Sequence, residues 1–329
     1  MKIKLLPLKM LLMPCSVTKM IDFAFIDSGT GGIPYLLEMK KRCPESDCVY
    51  VGDTANFPYG EKSHEEIVSC ITAVVARVIE RFEPAVIVIA CNTISVNALE
   101  VLRMQFPAVE FVGTVPAIKL AAKVSKNRKI GLLATKSTCE NPYNIDLKNK
   151  FAADCEMVLR PDADLISFIE HCSFTASLEE RKNACRPAAE FFKQNGCDVI
   201  ILGCTHFLNI KEEMQVVCGN EVQVVDSVDG VVNHAIEVKK GRCGETNLFV
   251  APLEGVAEKP AAKRGLWSEG EASPYHPLKD VRFRERYNGG EVSPYESSLV
   301  FVTGFNDKND EKEYDVLCNR YNLKFGGKL

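Results

Sequence analysis

Residues 85–93 read Ala-Val-Ile-Val-Ile-Ala-Cys-Asn-Thr, and residues 198–206 read Asp-Val-Ile-Ile-Leu-Gly-Cys-Thr-His. Each is a short apolar run closed by a cysteine, with a threonine just after it. Unbroken apolar runs of this length suit parallel strands buried on both faces. A second pair follows a similar rule: Ile26-Asp27-Ser28-Gly29 near the start, and Val225-Asp226-Ser227 after the second cysteine. The repetition predicts two similar α/β halves, each ending a strand with a cysteine. If the halves face one another, Cys91 and Cys204 meet across a cleft. Two thiols on opposite sides of one carbon can invert a stereocentre. One removes a proton, and the other returns one to the opposite face.

Working outward, further candidate strands fall at 21–27, 48–53, 110–113, 129–134, 155–160 and 222–226, with the two quoted runs supplying 85–90 and 198–203. Helical patterns lie between them. The clearest is His64–Phe82, where Ile67, Ile71, Val74, Val75, Val78, Ile79 and Phe82 make one apolar stripe. Ser63 and Glu66 form a capping box at its start. Strand–helix–strand order predicts an α/β fold of two pseudo-symmetric doubly wound lobes with mostly parallel sheets. Ligands bind beyond the carboxyl ends of such strands. Asp27, Cys91 and Cys204 all sit there, which puts the active site in the cleft between the lobes.

The chain has 329 residues, a prior of about two domains. It is 46% hydrophobic and 26% charged, as expected of a soluble globular protein. A net charge of −4 offers no basic field for nucleic acid. The fourteen cysteines are scattered, with no C-x-x-C and no Cys/His ligand cluster. That spacing argues against a zinc site and against a disulfide framework, and a reducing cytosol is the simplest home for so many thiols. Residues 1–19 carry lysines and a short apolar run broken by Lys9. The run is too short to span a bilayer, and Met20 directly precedes the first strand. Residues 1–19 are therefore expected to be an N-terminal extension or an upstream mis-start. From about 251 to 296 the chain turns rich in Pro, Gly, Glu and Lys, and GEASPY at 270–275 returns as GEVSPY at 290–295. This stretch reads as an insertion. Order is expected to resume with a strand at 298–304 and a helix at about 311–321.

Several motifs could carry chemistry. Gly29-Thr30-Gly31-Gly32 resembles the start of a dinucleotide fingerprint, but Pro34 stands where the third glycine should fall. A tight turn whose NH groups face a small anion is the preferred reading. Cys91-Asn92-Thr93 opens a helix, and the positive helix end is expected to lower the Cys91 pKa from about 8.5. The alternative is a buried structural cysteine, which two matched motifs make less attractive. His206 could orient or deprotonate Cys204, or simply cap a helix. Cys204 with His206 also admits a cysteine hydrolase, although such enzymes use one thiol and draw the base from a distant segment. Residues 52–60, Gly-Asp-Thr-Ala-Asn-Phe-Pro-Tyr-Gly, form a polar loop that offers NH groups and a phenol to a carboxylate. Glu170, by itself, reads as a solvated helix residue. No lysine motif suggests pyridoxal phosphate.

Together IDSGTGG, GDTANFPYG, ACNT, LLATKST and LGCTH resemble glutamate racemases of the aspartate/glutamate racemase superfamily, in that family's order and spacing. The resemblance covers about 20–240 and returns weakly at 299–325. It implies an enzyme that makes D-glutamate for peptidoglycan, and hence for cell-wall biogenesis and cell shape, in the cytoplasm. It needs no cofactor or metal and has glutamate as its small-molecule partner, with no membrane or nucleic acid. By this resemblance Cys204 takes the α-proton of L-glutamate and Cys91 that of the D form. Asp27 assists Cys91, His206 assists Cys204, and Glu170 matches an acidic position that contributes to catalysis. Asp27, Ser28, Tyr59, Gly60, Asn92, Thr93, Thr205 and His206 would hold the substrate, and Thr135 or Thr138 would line the pocket. The resemblance also implies that the chain crosses back. One lobe would comprise 20–115 with 226–329, and the other 116–225. A homodimer is compatible with this reading. Phe207-Leu208 replaces the family's usual Tyr-Pro, and Asn56 its usual arginine. Aspartate or hydantoin racemases are the nearest alternatives within the class. A non-catalytic amino-acid-binding protein is the alternative outside it.

Overall fold

A computed structural model describes residues 21–241, 298–305 and 308–329. The expected extension at 1–19 and the insertion at 251–296, with its repeat, lie outside the described residues. Within them the strands form two sheets, and every strand pair is parallel. The first sheet has the order β10-β9-β2-β1-β3-β4. It is built from β1 (Phe23–Asp27), β2 (Cys48–Gly52), β3 (Val86–Ile89), β4 (Glu110–Gly113), β9 (Leu299–Val302) and β10 (Lys324–Lys328). The second has the order β6-β5-β7-β8, from β5 (Lys129–Ala134), β6 (Glu156–Pro161), β7 (Val199–Leu202) and β8 (Gln223–Val225). The chain thus leaves the first sheet after β4, builds all of the second, and returns.

The order β2-β1-β3-β4 repeats as β6-β5-β7-β8. Cys91 follows β3 and Cys204 follows β7, so the two cysteines occupy equivalent places. The paired Asp-Ser motifs do not. Asp27 ends β1, whose counterpart is β5, whereas Asp226 follows β8, the counterpart of β4. The match of Ile26-Asp27-Ser28 with Val225-Asp226-Ser227 is therefore not a repeat of position. The position equivalent to Asp27 falls at the end of β5, beside Thr135.

Helices cover both faces of the first sheet. Side chains alternate across a strand, so Ala24 and Ile26 pack on one side with Ile67, Ile71, Val74 and Val75 of α2 (His64–Phe82). Phe23 and Phe25 pack on the other with Ile33, Leu36 and Met39 of α1 (Ile33–Arg42), and with Val231 and Val232 of α10 (Val228–Lys239). The Ser63–Glu66 capping box at the start of α2 is formed. α3 (Asn92–Gln105) follows Cys91, and α5 (Lys136–Glu140) follows β5. In the second half α7 (Ala163–His171), α8 (Leu178–Gln194), a 3-10 turn (Thr205–Ile210) and α9 (Lys211–Cys218) share one core with Ile200 and Leu202 of β7, while α4 (Ile118–Val124) packs on Val199 and Ile201 of its other face. The expected late strand is β9, and the expected final helix is α11 (Lys308–Arg320). β10 was not expected.

Candidate active site between the two sheets

The site collects at the carboxyl ends of β1, β2, β3, β5 and β7. Asp27 ends β1 and is fully buried. Its Oδ1 accepts from the Ser28 amide at 2.7 Å, and its Oδ2 from the Gly32 amide at 2.7 Å. The Tyr50 hydroxyl stands 3.2 Å from Oδ2. Thr205, which belongs to the second sheet's side, donates its hydroxyl to Oδ2 at 3.2 Å. Burial raises the Asp27 pKa above its ordinary value, against the lowering effect of the His206 charge, the Ser28 amide and the Cys91 thiol.

Cys91 lies directly beyond β3, the parallel neighbour of β1. It is buried, and its Sγ lies 3.7 Å from the Ser28 hydroxyl. Burial pushes its thiol well above the ordinary range, and the neighbouring Asp27 charge pushes the same way. This corrects the expectation of a thiol acidified by its helix. The Ile94 amide, in the first turn of α3, does favour the thiolate, but desolvation outweighs it. Burial thus favours the Cys91 thiol over its thiolate.

On the other side, Cys204 Sγ lies 3.5 Å from His206 Nδ1, and His206 Nε2 lies 2.9 Å from Glu170 Oε2. All three are buried. Burial alone would lower the His206 pKa, yet the hydrogen bonds to Cys204 and Glu170 carry it well above its ordinary value. Burial likewise works against the Glu170 carboxylate, but His206 and Thr30 outweigh it and lower its pKa. In the imidazolium both nitrogens donate, one to Glu170 and one to the Cys204 sulfur. Glu170 is therefore not a solvated helix residue. It shares the inner face of α7 with Leu165, Ile166 and Ile169.

The glycine turn serves protein carboxylates. Gly32 N binds Asp27, and Thr30 N binds Glu170 at 3.2 Å. Gly31 faces the His206 backbone so closely that a Cβ there would lie 2.6 Å from its amide nitrogen. Thr93, Thr135 and Thr138 form a hydroxyl cluster joining α3 to α5. Thr93 is 3.0 Å from Thr135 and 3.4 Å from Thr138, and the last two are 3.0 Å apart. Gly60 backs onto Thr135, against which a Cβ would press at 3.1 Å. Asn92 is buried, and its Oδ1 has no hydrogen-bond partner among the described residues. Tyr59 donates its hydroxyl to Asp53 Oδ2 at 2.5 Å, and the other Asp53 oxygen accepts from Thr303 at 2.5 Å. The Phe57 ring packs 5.5 Å from that of His206.

Sequence reasoning missed Thr30, Tyr50, Asp53 and Thr303. Asp53 and Thr30 sit inside motifs that were read, but neither motif reveals which carboxylate meets which donor. Tyr50 looked like one more apolar residue of a buried strand. Among the described residues no group of three or more His, Cys, Asp or Glu side chains could hold a metal ion.

The chain matches the family model described as Asp/Glu/Hydantoin racemase over residues 36–235. It is 41% identical over 217 residues to a glutamate racemase of Treponema pallidum, covering 66% of this chain and 81% of that protein. Against a glutamate racemase of Shewanella sp. strain ANA-3 the identity is 38% over 207 residues, covering 62% of this chain and 74% of that one. The crystal structure of Escherichia coli glutamate racemase, in complex with L-glutamate and the activator UDP-MurNAc-Ala, superposes with a TM-score of 0.68 at 27% identity. That match covers 94% of this chain and 98% of the other.

Proposed function

The chain belongs to the Asp/Glu/hydantoin racemase family, and we propose that it interconverts L- and D-glutamate with two thiols and no cofactor. The observation that carries this reading is the pair of cysteines at equivalent strand ends, each with its own buried ionisable neighbours. Cys91 has Asp27, and Cys204 has His206 backed by Glu170.

The α-carbon of glutamate sits between the sulfurs. Starting from the L form, Cys204 as thiolate takes the α-proton, and the Cys91 thiol delivers its proton to the opposite face. Cys204 ends protonated and Cys91 ends as thiolate, the state that works on D-glutamate. Proton exchange with solvent resets it. The resting arrangement favours L-glutamate first: the raised His206 presents an imidazolium to the Cys204 sulfur, while desolvation keeps Cys91 a thiol. The α-proton is weakly acidic, so groups already in place must stabilise the developing carbanion. Asn92 Oδ1, buried without a partner, is suited to the substrate ammonium. Ser28, Thr93, Thr135, Thr138 and Thr205, with the Tyr59–Gly60 loop, supply hydroxyls and amides for the two carboxylates.

The lobes we assign are 20–115 with 226–329, and 116–225, an assignment supported by the repeated strand order. The product would supply peptidoglycan synthesis in the cytoplasm. That location is in keeping with cysteines that are all free among the described residues, and with the absence there of any helix long and apolar enough to cross a membrane. The proposed assembly is a homodimer, which light scattering tests: a mass of one chain in solution would refute it. The function itself is tested by incubating purified protein with L-glutamate and no cofactor. Optical rotation decaying to zero is expected, and unchanged rotation would refute the assignment.

A further inference from the structure

Thr30 stands in the glycine turn after β1, on the first sheet's side of the cleft. Glu170 and His206 stand on the second. Thr30 donates its hydroxyl to Glu170 Oε2 at 2.8 Å, and its amide reaches the same oxygen at 3.2 Å. That oxygen also receives His206 Nε2 at 2.9 Å. All three side chains are buried. A Cβ on Gly29 would lie 2.7 Å from Glu170 Oε1, so the turn's backbone packs directly against the other oxygen. A hydroxyl spent on a buried carboxylate is a charge-assisted bond, stronger than a neutral one and directional.

We propose that Thr30 is a positioning residue: it holds Glu170, and through Glu170 the His206 ring, in line with Cys204 from across the cleft. Thr30 need not touch the substrate. It fixes the carboxylate that, together with Cys204, keeps His206 protonated, and so governs the thiol that exchanges a proton with L-glutamate. The other ionisable groups facing this pair are Asp27 at the end of β1, Tyr50 on β2 and Cys204 itself. None of them changes when the Thr30 hydroxyl is removed. The kinetic part of the proposal rests on the glutamate racemase reading. The positioning part does not.

The test uses the full chain with Thr30→Val, which keeps size and amide but loses the hydroxyl, and Thr30→Ser, which restores it. Thr30→Ala, which cannot crowd the carboxylate, is read in the same way as the valine variant. The His206 ring is followed by NMR with labelled imidazole nitrogens, its signal assigned by its loss in His206→Asn. His206 is expected to titrate at lower pH in Thr30→Val and Thr30→Ala than in the unaltered protein, and to recover in Thr30→Ser. In kinetics kcat/KM should fall about tenfold in Val, as for loss of one charge-assisted hydrogen bond, and recover in Ser. The fall must be equal for both enantiomers, because their equilibrium constant is one. The primary isotope effects are free to diverge. With substrates deuterated at Cα, the effect on kcat/KM should rise for L-glutamate and shrink for D-glutamate, since only the Cys204 half-reaction is slowed. An unshifted His206 titration in Val and Ala would overturn the proposal. So would an equal loss in Ser, or a rate loss with both isotope effects unchanged, either of which marks a merely structural residue. If the unaltered protein does not racemise glutamate, the function fails, and the His206 titration still decides the role of Thr30.

Discussion

At the scale of single residues, the His206–Glu170 pair makes a pH-dependent contribution whose sign can be worked out. His206 is raised above its ordinary 6.5, so its contribution to stability is full below that value and is lost as pH rises through the folded-state value. Glu170 is lowered below its ordinary 4.5, so its contribution is full above that value and is lost as pH falls through the folded-state value. Glu170→Gln should therefore cost most melting temperature between pH 4.5 and 6.5, with the gap to the unaltered protein closing toward alkaline pH. A gap that widens above pH 7 would contradict the pairing. The thiols make a sharper prediction. Cys91→Ala and Cys204→Ala should each lower kcat by at least about 10²–10⁴-fold, since inversion needs both an acceptor and a donor. Near-normal racemisation by either variant, measured by circular dichroism of the product, would exclude the two-thiol mechanism. Both thiols were legible in the sequence because strand and cysteine repeat together. Glu170 was legible in part. Ile166 lies one helical turn before it, so the helical period already placed it on the inner face. What hid it is the habit of reading an isolated acid as solvated. Its partners, Thr30 and His206, come from segments distant in sequence.

At the scale of elements, β9 stabilises the candidate site from the far end of the chain. It pairs with β2, and Thr303 just beyond it donates to Asp53 while accepting from the Ala55 amide at 3.0 Å. Asp53 in turn holds Tyr59. Thr303→Val should leave a buried carboxylate and a backbone amide each short of a partner. The expected cost is about 1–3 kcal/mol in urea unfolding, with a higher KM for glutamate as the Tyr59–Gly60 loop loosens. A stability change near zero would show that water replaces the hydroxyl without loss. Helix α2 was readable in full because its cap and its stripe are both local signals. Strand β10, Lys-Phe-Gly-Gly-Lys, was not. It has one apolar side chain and two glycines, and it is a strand because the free edge of β9 offers it a ladder of hydrogen bonds. The misjudged equivalence of Asp27 and Asp226 has a similar cause. A strand's place in a sheet is decided by non-local pairing, which a three-residue motif does not encode.

At the scale of the whole molecule, two sheets that share a four-strand order each end a strand at a thiol, and Asp27 and Thr205 bond between the two sides. Under the proposed mechanism each face of a bound α-carbon has its own sulfur. The proposed substrate contacts are hydroxyls and amides, which would penalise a ligand too short to reach them. Aspartate should accordingly be turned over at least about 10²-fold less well than glutamate in kcat/KM, and equal values would leave a racemase but not a glutamate-specific one. The most direct test of the two-thiol claim is racemisation of L-glutamate in D₂O, followed at early times by proton NMR with the enantiomers separated. The D-glutamate formed should carry deuterium at Cα, delivered by the exchanged Cys91 thiol, while the remaining L-glutamate keeps its proton. D-glutamate that retains the original α-proton, or L-glutamate that gains deuterium as fast as product forms, would mean one base serving both faces and would contradict the two-thiol mechanism.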